Sequence, residues 1–275
     1  MISKKRLYLY VILLVLVVTA MIMLRNFLTG KSNQIEVNDY NEIIERGEMN
    51  VVTDYNTIGY FVSGDTIQGF QYELINALQK EWGIDINIFL ENNLQDNLKG
   101  LEEGKYDLIA RSIPVNSELK GNFSFTEPLI LNKLVLVQRK SQFNDSIEPL
   151  RQHLELAKKT IHVAEGSPSM LRLNNLSYEI GDTIHVVENT TYEAEQLVMM
   201  VASGEIEYTV CDEKVALRLS EKLPEIDIET DISFTQIESW AVRINSPILL
   251  DSVNSWLNRF KETHEFKNLI EKYYV

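Results

Sequence analysis

The sequence predicts an α/β protein of two similar lobes behind an N-terminal apolar segment. Two β-α-β-α-β patterns of similar size follow one another along the body, the order expected of parallel sheets with helical crossovers. Glycines stand where amphipathic helices should end, as at Gly47 and Gly83. The last stretch returns to one more strand and two helices, which puts it back on the first lobe.

At 275 residues the chain has room for one large domain or two lobes beyond a short N-terminal segment. With 45% hydrophobic and 24% charged residues, the composition is globular rather than disordered. A net charge of −14 argues against a nucleic-acid partner, because phosphates need a basic face. Cys211 is the only cysteine, so no intramolecular disulfide and no CxxC site can form. His153, His162, His185 and His264 show no HxxxH or HxH spacing, and neither a metal nor a cofactor is expected.

Lys4-Lys5-Arg6 precede an uncharged run from Leu7 to Leu24, closed by Arg25. That length is near the lower limit for a bilayer-spanning helix, and the basic flank places the N-terminus in the cytoplasm with the body outside. A cleaved signal peptide is the alternative. Thr19-Ala20, however, runs on into Met-Ile-Met-Leu and offers no small-residue cleavage site. Residues 1–32 are therefore expected to be anchor and tether, with the membrane contact through 7–24. The body then divides into residues 33–138 as the first part of lobe 1, 139–231 as lobe 2, and 232–275 as the return to lobe 1.

Asp39 to Arg46 reads as a helix and Met49 to Thr53 as the first strand. Gly64-Asp65 marks a hairpin turn. A helix over Tyr72 to Trp82 sets Leu74, Ile75, Leu78 and Trp82 on one face. A strand over Ile84 to Leu90, a helix over Leu94 to Glu103 and a strand over Tyr106 to Ala110 complete the first unit. That last strand opens into a polar loop, Arg111-Ser112-Ile113-Pro114, and Asn122 to Thr126 is again extended. The pattern restarts after Leu134 to Gln138, with a helix expected over Leu150 to Lys158 and a strand over Thr160 to Ala164. The rest of that unit is a helix starting at Ser169, a strand over Thr183 to Val187, a helix over Thr191 to Ala202, and a strand over Gly204 to Val210. A helix over Glu213 to Leu219 ends the second unit. The strand Glu238 to Ile244 and two helices, Ser246 to Lys261 and Glu265 to Tyr273, close the chain.

In open α/β sheets ligands bind beyond the carboxyl ends of the strands. Arg111 and Ser112 are thus candidate ligand contacts, against the plainer reading of Arg111 as a surface arginine paired with an acid. Tyr55, Tyr60 and Phe70 lie near the first lobe's strand ends and either stack on a ligand or belong to the core. Trp240 reads as hinge packing.

Four segments in this order resemble the family 3 extracellular solute-binding proteins: Gly47 to Val52, Gly69 to Leu74, Gly104 to Ala110, and Phe125 to Pro128. Within that family, Gly204 to Asp212, Pro224-Glu225, Trp240 and Ile270 to Tyr274 look most like the N-terminal, non-catalytic domain of the membrane-bound lytic transglycosylase F group. The resemblance implies a two-lobed, periplasmic-binding-protein-like clamp of type II. It implies that Asp212 contacts a ligand ammonium, or else caps the following helix. It also implies that Ser167 and Ser169 meet an anion in a glycine-hydroxyl loop, or else form a turn and cap. The family's carboxylate-clamping arginine falls on Leu119, which cannot bind a carboxylate, and Arg111 is left as the replacement. The transglycosylase group carries a catalytic domain beyond this point, whereas this sequence ends at Val275, so the expectation is a binding module without the enzyme.

The expected function is a non-enzymatic, membrane-tethered extracytoplasmic protein of the bacterial inner membrane that closes on a small polar ligand for transport or sensing. The ligand would be amino-acid-like, a peptide or a muropeptide. The partner would be an ABC permease or a cell-wall enzyme. One alternative is a peptidoglycan-fragment-binding accessory, and a remote one is a dehydratase-type enzyme using Glu73, Glu127, Glu165 or Asp212.

Overall fold

The computed structural model describes residues 13, 14, 16–21, 23 and 39–274, in two units, Met1–Val37 and Asn38–Val275. In the first unit the described residues are helical and exposed, and half of the expected anchor over 7–24 lies outside the described residues. Among the described residues no helix is long and apolar enough to cross a membrane.

The second unit opens with α1 (Tyr40–Arg46), whose start is fixed by a capping box between Asp39 and Glu42. Asp39 also accepts from the backbone N–H groups of Ile248 and Leu249, tying α1 to the far end of the chain. The first lobe continues with β1 (Glu48–Thr53), the hairpin β2 (Phe61–Ser63) and β3 (Thr66–Gln68), then α2 (Phe70–Trp82), β4 (Asp85–Leu90), α3 (Leu94–Glu102) and β5 (Leu108–Pro114). Two short strands follow, β6 (Phe123–Phe125) and β7 (Ile130–Asn132). Later in the chain, β13 (Gln236–Arg243) completes the same sheet, in the order β4-β1-β5-β13-β6, with β7 also paired to β13. The helices α7 (Pro247–Lys261) and α8 (His264–Tyr274) pack on this lobe.

The second lobe holds β8 (Leu134–Arg139), β9 (Thr160–Ala164), α4 (Ser169–Ile180), β10 (His185–Asn189), α5 (Ala194–Ser203), β11 (Thr209–Asp212), α6 (Glu213–Ser220) and β12 (Ile226–Asp231). Its sheet order is β10-β9-β11-β8-β12. In both sheets the strands that carry the crossover helices are parallel, and the strands next to the crossings between lobes are antiparallel.

Three expectations need correction, and one strand is an addition. The third strand does not stop at Ala110 but runs on to Pro114, because β13 pairs antiparallel with Ile113 and Pro114 across a register shift. Arg111 and Ser112 are therefore strand residues rather than loop residues. Leu134–Arg139, expected at the end of lobe 1, is the fourth strand of the second sheet, held between β11 and β12, so the first crossing lies at Lys133. Leu150 to Lys158 forms only a short 3-10 turn, His153–Leu156, whose capping box uses Gln152 and Glu155. The strand β12, which lets the second sheet close on β8, was not anticipated.

The largest apolar cluster includes residues of both lobes, among them Leu74, Trp240 and Leu257 from the first and Val137, Val198 and Val215 from the second. Each lobe also has a smaller core of its own.

Candidate functional site

The carboxyl ends of β1, β5, β9 and β11 point at one another across the gap between the lobes. Around a chamber of about 100 Å³ they gather Asp54 and Tyr55 after β1, Arg111 and Ser112 on β5, Ser167 and Ser169 after β9, and Asp212 at the end of β11. The start of α5 adds Glu193 and Glu195. The lobes touch here: Glu195 Oε1, from the second lobe, accepts from the backbone N–H of Thr57 in the first, at 2.7 Å. On the outer edge the Arg218 guanidinium of α6 lies over the rings of Phe61 and Tyr273 of the other lobe, at 5.7 and 5.8 Å.

Arg111 is neither a surface arginine nor a free one. It is 8% exposed. Its Nη2 pairs with Asp54 Oδ2 at 3.2 Å, and its Nη1 donates to the Asn92 carbonyl at 2.8 Å and to Asn97 Oδ1 at 3.1 Å. Among the described residues Nε has no hydrogen-bond partner. Asp54 is held in turn by Asn56, whose Nδ2 donates to it at 2.9 Å. Asn56 Oδ1 accepts from the N–H groups of Ile58 and Gly59, which closes a tight turn beside the chamber.

Asp212 does not cap α6 with its side chain. Burial first, and then the negative charge of Asp54, push its carboxyl from 3.8 up to about 6, with Arg111 opposing the rise. Behind it Glu238 on β13 is buried and also held well above the usual carboxylate range, by burial and then by the Asp212 charge. Asn132 Nδ2 donates to Glu238 at 3.4 Å. Cys211 forms part of the chamber wall, and burial raises its thiol well above its ordinary value.

Ser167 and Ser169 share a hydrogen bond of 2.7 Å between their hydroxyls, and the Ser169 N–H donates to Ser167 Oγ. Ser112 Oγ accepts from Gln71 Nε2 at 3.4 Å, and Gln71 Oε1 accepts from Trp240 Nε1 at 2.7 Å. Trp240 is thereby a buried core residue stacked on Trp256. Tyr55 is exposed at the chamber mouth, tilted toward Tyr60.

The structure thus brings six of the seven sequence candidates to one chamber: Tyr55, Arg111, Ser112, Ser167, Ser169 and Asp212. Phe70 is the exception. It is fully buried, edge-on to Phe266, Tyr273 and Tyr274, because its place as the first residue of α2 turns it toward α8. Of the four acids considered for catalysis, Glu165 and Asp212 line the chamber. Glu73 instead pairs with Lys272 at 2.7 Å. Asp54, Glu195 and Glu238 were missed. Asp54 could have been found, since a charged residue directly after the first strand obeys the same strand-end rule that selected Arg111.

A second cavity of 430 Å³ adjoins the chamber and shares Pro114, Leu134, Ser167 and Pro168 with it. Leu119, in a short 3-10 turn, lines this outer cavity.

The model of the bacterial extracellular solute-binding proteins, family 3, matches residues 49–275. The chain belongs to that family. Among the relatives of this family 3 protein, the membrane-bound lytic murein transglycosylase F of Desulfosudis oleivorans is 28% identical over 235 residues, 85% of this chain and 50% of the relative. That of Pseudomonas fluorescens is 24% identical over 263 residues, 94% of this chain and 51% of the relative. The chain spans about half the length of these curated relatives. Solved structures show the same type II, two-lobed α/β fold. The solute receptor for L-cysteine of Neisseria gonorrhoeae superposes with a TM-score of 0.74 at 18% identity, over 85% of this chain and 92% of the other. Holo ArgBP from T. maritima gives 0.69 at 24% identity, over 86% and 99%. The ancestral amino acid-binding protein AncCDT-1, a precursor of cyclohexadienyl dehydratase, gives 0.71 at 22%, over 86% and 99%.

Proposed function

We propose that this family 3 protein is a non-enzymatic binding module that closes its two lobes on a small ligand bearing an ammonium group. Its body stands outside the cytoplasmic membrane, tethered through residues 7–24. The observation that carries this reading is the convergence of Asp54, Arg111 and Asp212, from strand ends of both lobes, on one chamber. Carboxylates held half-buried with too little positive charge are costly, and a cationic ligand group offsets that cost. Hinge closure then brings the two halves of the site together. Isothermal titration of the full chain in detergent against amino acids, short peptides and cell-wall peptides tests the reading. Saturable binding of at least one amine-bearing member is expected, and a flat titration across the whole panel would sink it.

A second reading is favoured by the curated relatives, which are named as murein transglycosylases. In it the ligand is a peptidoglycan fragment and the partner a cell-wall enzyme rather than an ABC permease. Co-sedimentation with insoluble peptidoglycan separates the two readings: retention favours the accessory role, and its absence beside intact amino-acid binding removes it.

A further inference from the structure

Resting on the reading of the cleft as a ligand site, we infer that its ligand is the amino-terminal end of a short peptide rather than a free amino acid. The terminal ammonium sits in the inner chamber and the next residue in the outer cavity.

Size makes the first argument. Small-molecule sites usually run to about 300–1,000 Å³. The inner chamber, at 100 Å³, falls below that range, whereas the outer cavity, at 430 Å³, lies within it. The two share walls, so one ligand can occupy both. A compound confined to the inner chamber leaves most of the space between the lobes unused.

Charge makes the second. A free amino acid brings a carboxylate close behind its ammonium, and that carboxylate needs a positive charge that no acid already balances. The two guanidiniums that line the cavities are already committed. The Arg111 charge is balanced by Asp54 through Nη2, and both N–H groups of its Nη1 are taken by the Asn92 carbonyl and Asn97 Oδ1. Arg172, in the outer cavity, donates from Nη2 to Glu179 at 3.1 Å and from Nε to the Ile232 carbonyl at 2.7 Å. Lys214 borders a recess of only 20 Å³, where Asp54 and Asp212 would both repel an anion. What Arg111 retains is its buried Nε–H, without a partner among the described residues, and the second N–H of Nη2. A neutral carbonyl oxygen, with two lone pairs, satisfies them without adding charge, and a peptide supplies that where an amino acid supplies a carboxylate.

The outer cavity fits the remainder of such a ligand. Leu119, Leu134 and Met170 give it apolar walls, while Gln95, Asn174, Asn175 and Gln236 supply amides able both to donate to and accept from a peptide backbone. The ligand class is therefore a peptide of two or more residues with a free amino terminus and an apolar second side chain.

The test uses the full chain in detergent and four probes: leucine, leucinamide, leucyl-leucinamide, and the same dipeptide amide acetylated at its amino terminus. Leucyl-leucinamide should bind at least tenfold more tightly than leucine, and acetylation should remove the binding. In Leu119→Arg the order should reverse, with leucine gaining at least tenfold, because a guanidinium then faces the cavity. Thermal melts of both proteins establish that they are folded. Leucine binding as tightly as the dipeptide amide, or an acetylated probe that binds unimpaired, overturns the peptide assignment while leaving a ligand-binding cleft. So does failure of all four probes when another amino acid or cell-wall fragment binds. Failure of these and of the wider panel together overturns the binding reading itself.

Discussion

Asp212 shows how one residue can set the chemistry of the whole cleft. Its carboxyl is raised from 3.8 to about 6, so between those values the folded chain holds a proton that the unfolded chain has lost. Stability therefore falls as pH rises through that window, by about 3 kcal/mol at roughly 1.4 kcal/mol per pH unit. Asp212→Asn deletes this term. At pH 7 the variant should melt at a higher temperature than the parent, and the gain should shrink to nothing by about pH 4. An unchanged melting temperature at both pH values would mean that the carboxylate is already balanced. The same variant should bind an amine ligand at least tenfold more weakly. In the parent, affinity should drop by up to tenfold per pH unit below about 6, as Asp212 takes up its proton. Arg111 was legible as a cleft residue from its place after a buried strand. Its ion pair with Asp54 was not, since two residues 57 positions apart in sequence meet only once β1 and β5 lie side by side.

At the scale of elements, chain punctuation was the most readable signal. Gly47, Gly83 and Gly204 each end a helix in the left-handed conformation. Strand limits were harder to read. Pro114 looks like a terminator, yet it sits in β5 opposite Glu238, at a strand's last position, where the missing N–H costs little. The role of Gly166 also needs the fold to be seen. It adopts φ +67°, and a Cβ there would overlap the side-chain amide of Asn93 from the opposite lobe. Asn93 cannot easily move, because its Oδ1 accepts from the second and third N–H groups of α3, at Gln95 and Asp96. Gly166→Ala should therefore cost about 1–2 kcal/mol through the positive φ and the lost cap together. Chemical denaturation measures this. In an Asn93→Ala background the same substitution should cost less, and equal costs in both backgrounds would refute the contact between lobes.

For the molecule as a whole, the two-lobe plan followed from the repeated α/β pattern. The assignment of β8 to the second sheet did not, because an antiparallel strand beside a crossing carries no local mark of which lobe it joins. The largest apolar cluster has members in both lobes, which predicts that they unfold together. All three tryptophans, Trp82, Trp240 and Trp256, lie in the first lobe, so their fluorescence reports on that lobe alone. Far-ultraviolet circular dichroism reports on both. The two signals should trace one coincident transition in urea, and a circular dichroism curve that splits in two would show that the lobes are independent.

Cys211, 3% exposed in the wall of the inner chamber, gives the protein a clock of its own. A small alkylating reagent can reach this thiol only while the lobes stand apart or the chain opens locally, so the rate of labelling counts those excursions. Where reclosing outpaces alkylation, the count reports the opening equilibrium rather than the speed of each single opening. Labelling should be much slower than in urea-unfolded chain and slower again with a bound ligand, in step with the fraction occupied. A thiol that reacts at the unfolded rate in native buffer would mean the cleft spends its time open. Breathing of the cleft can thus be timed in the natural sequence, with no probe residue engineered into it.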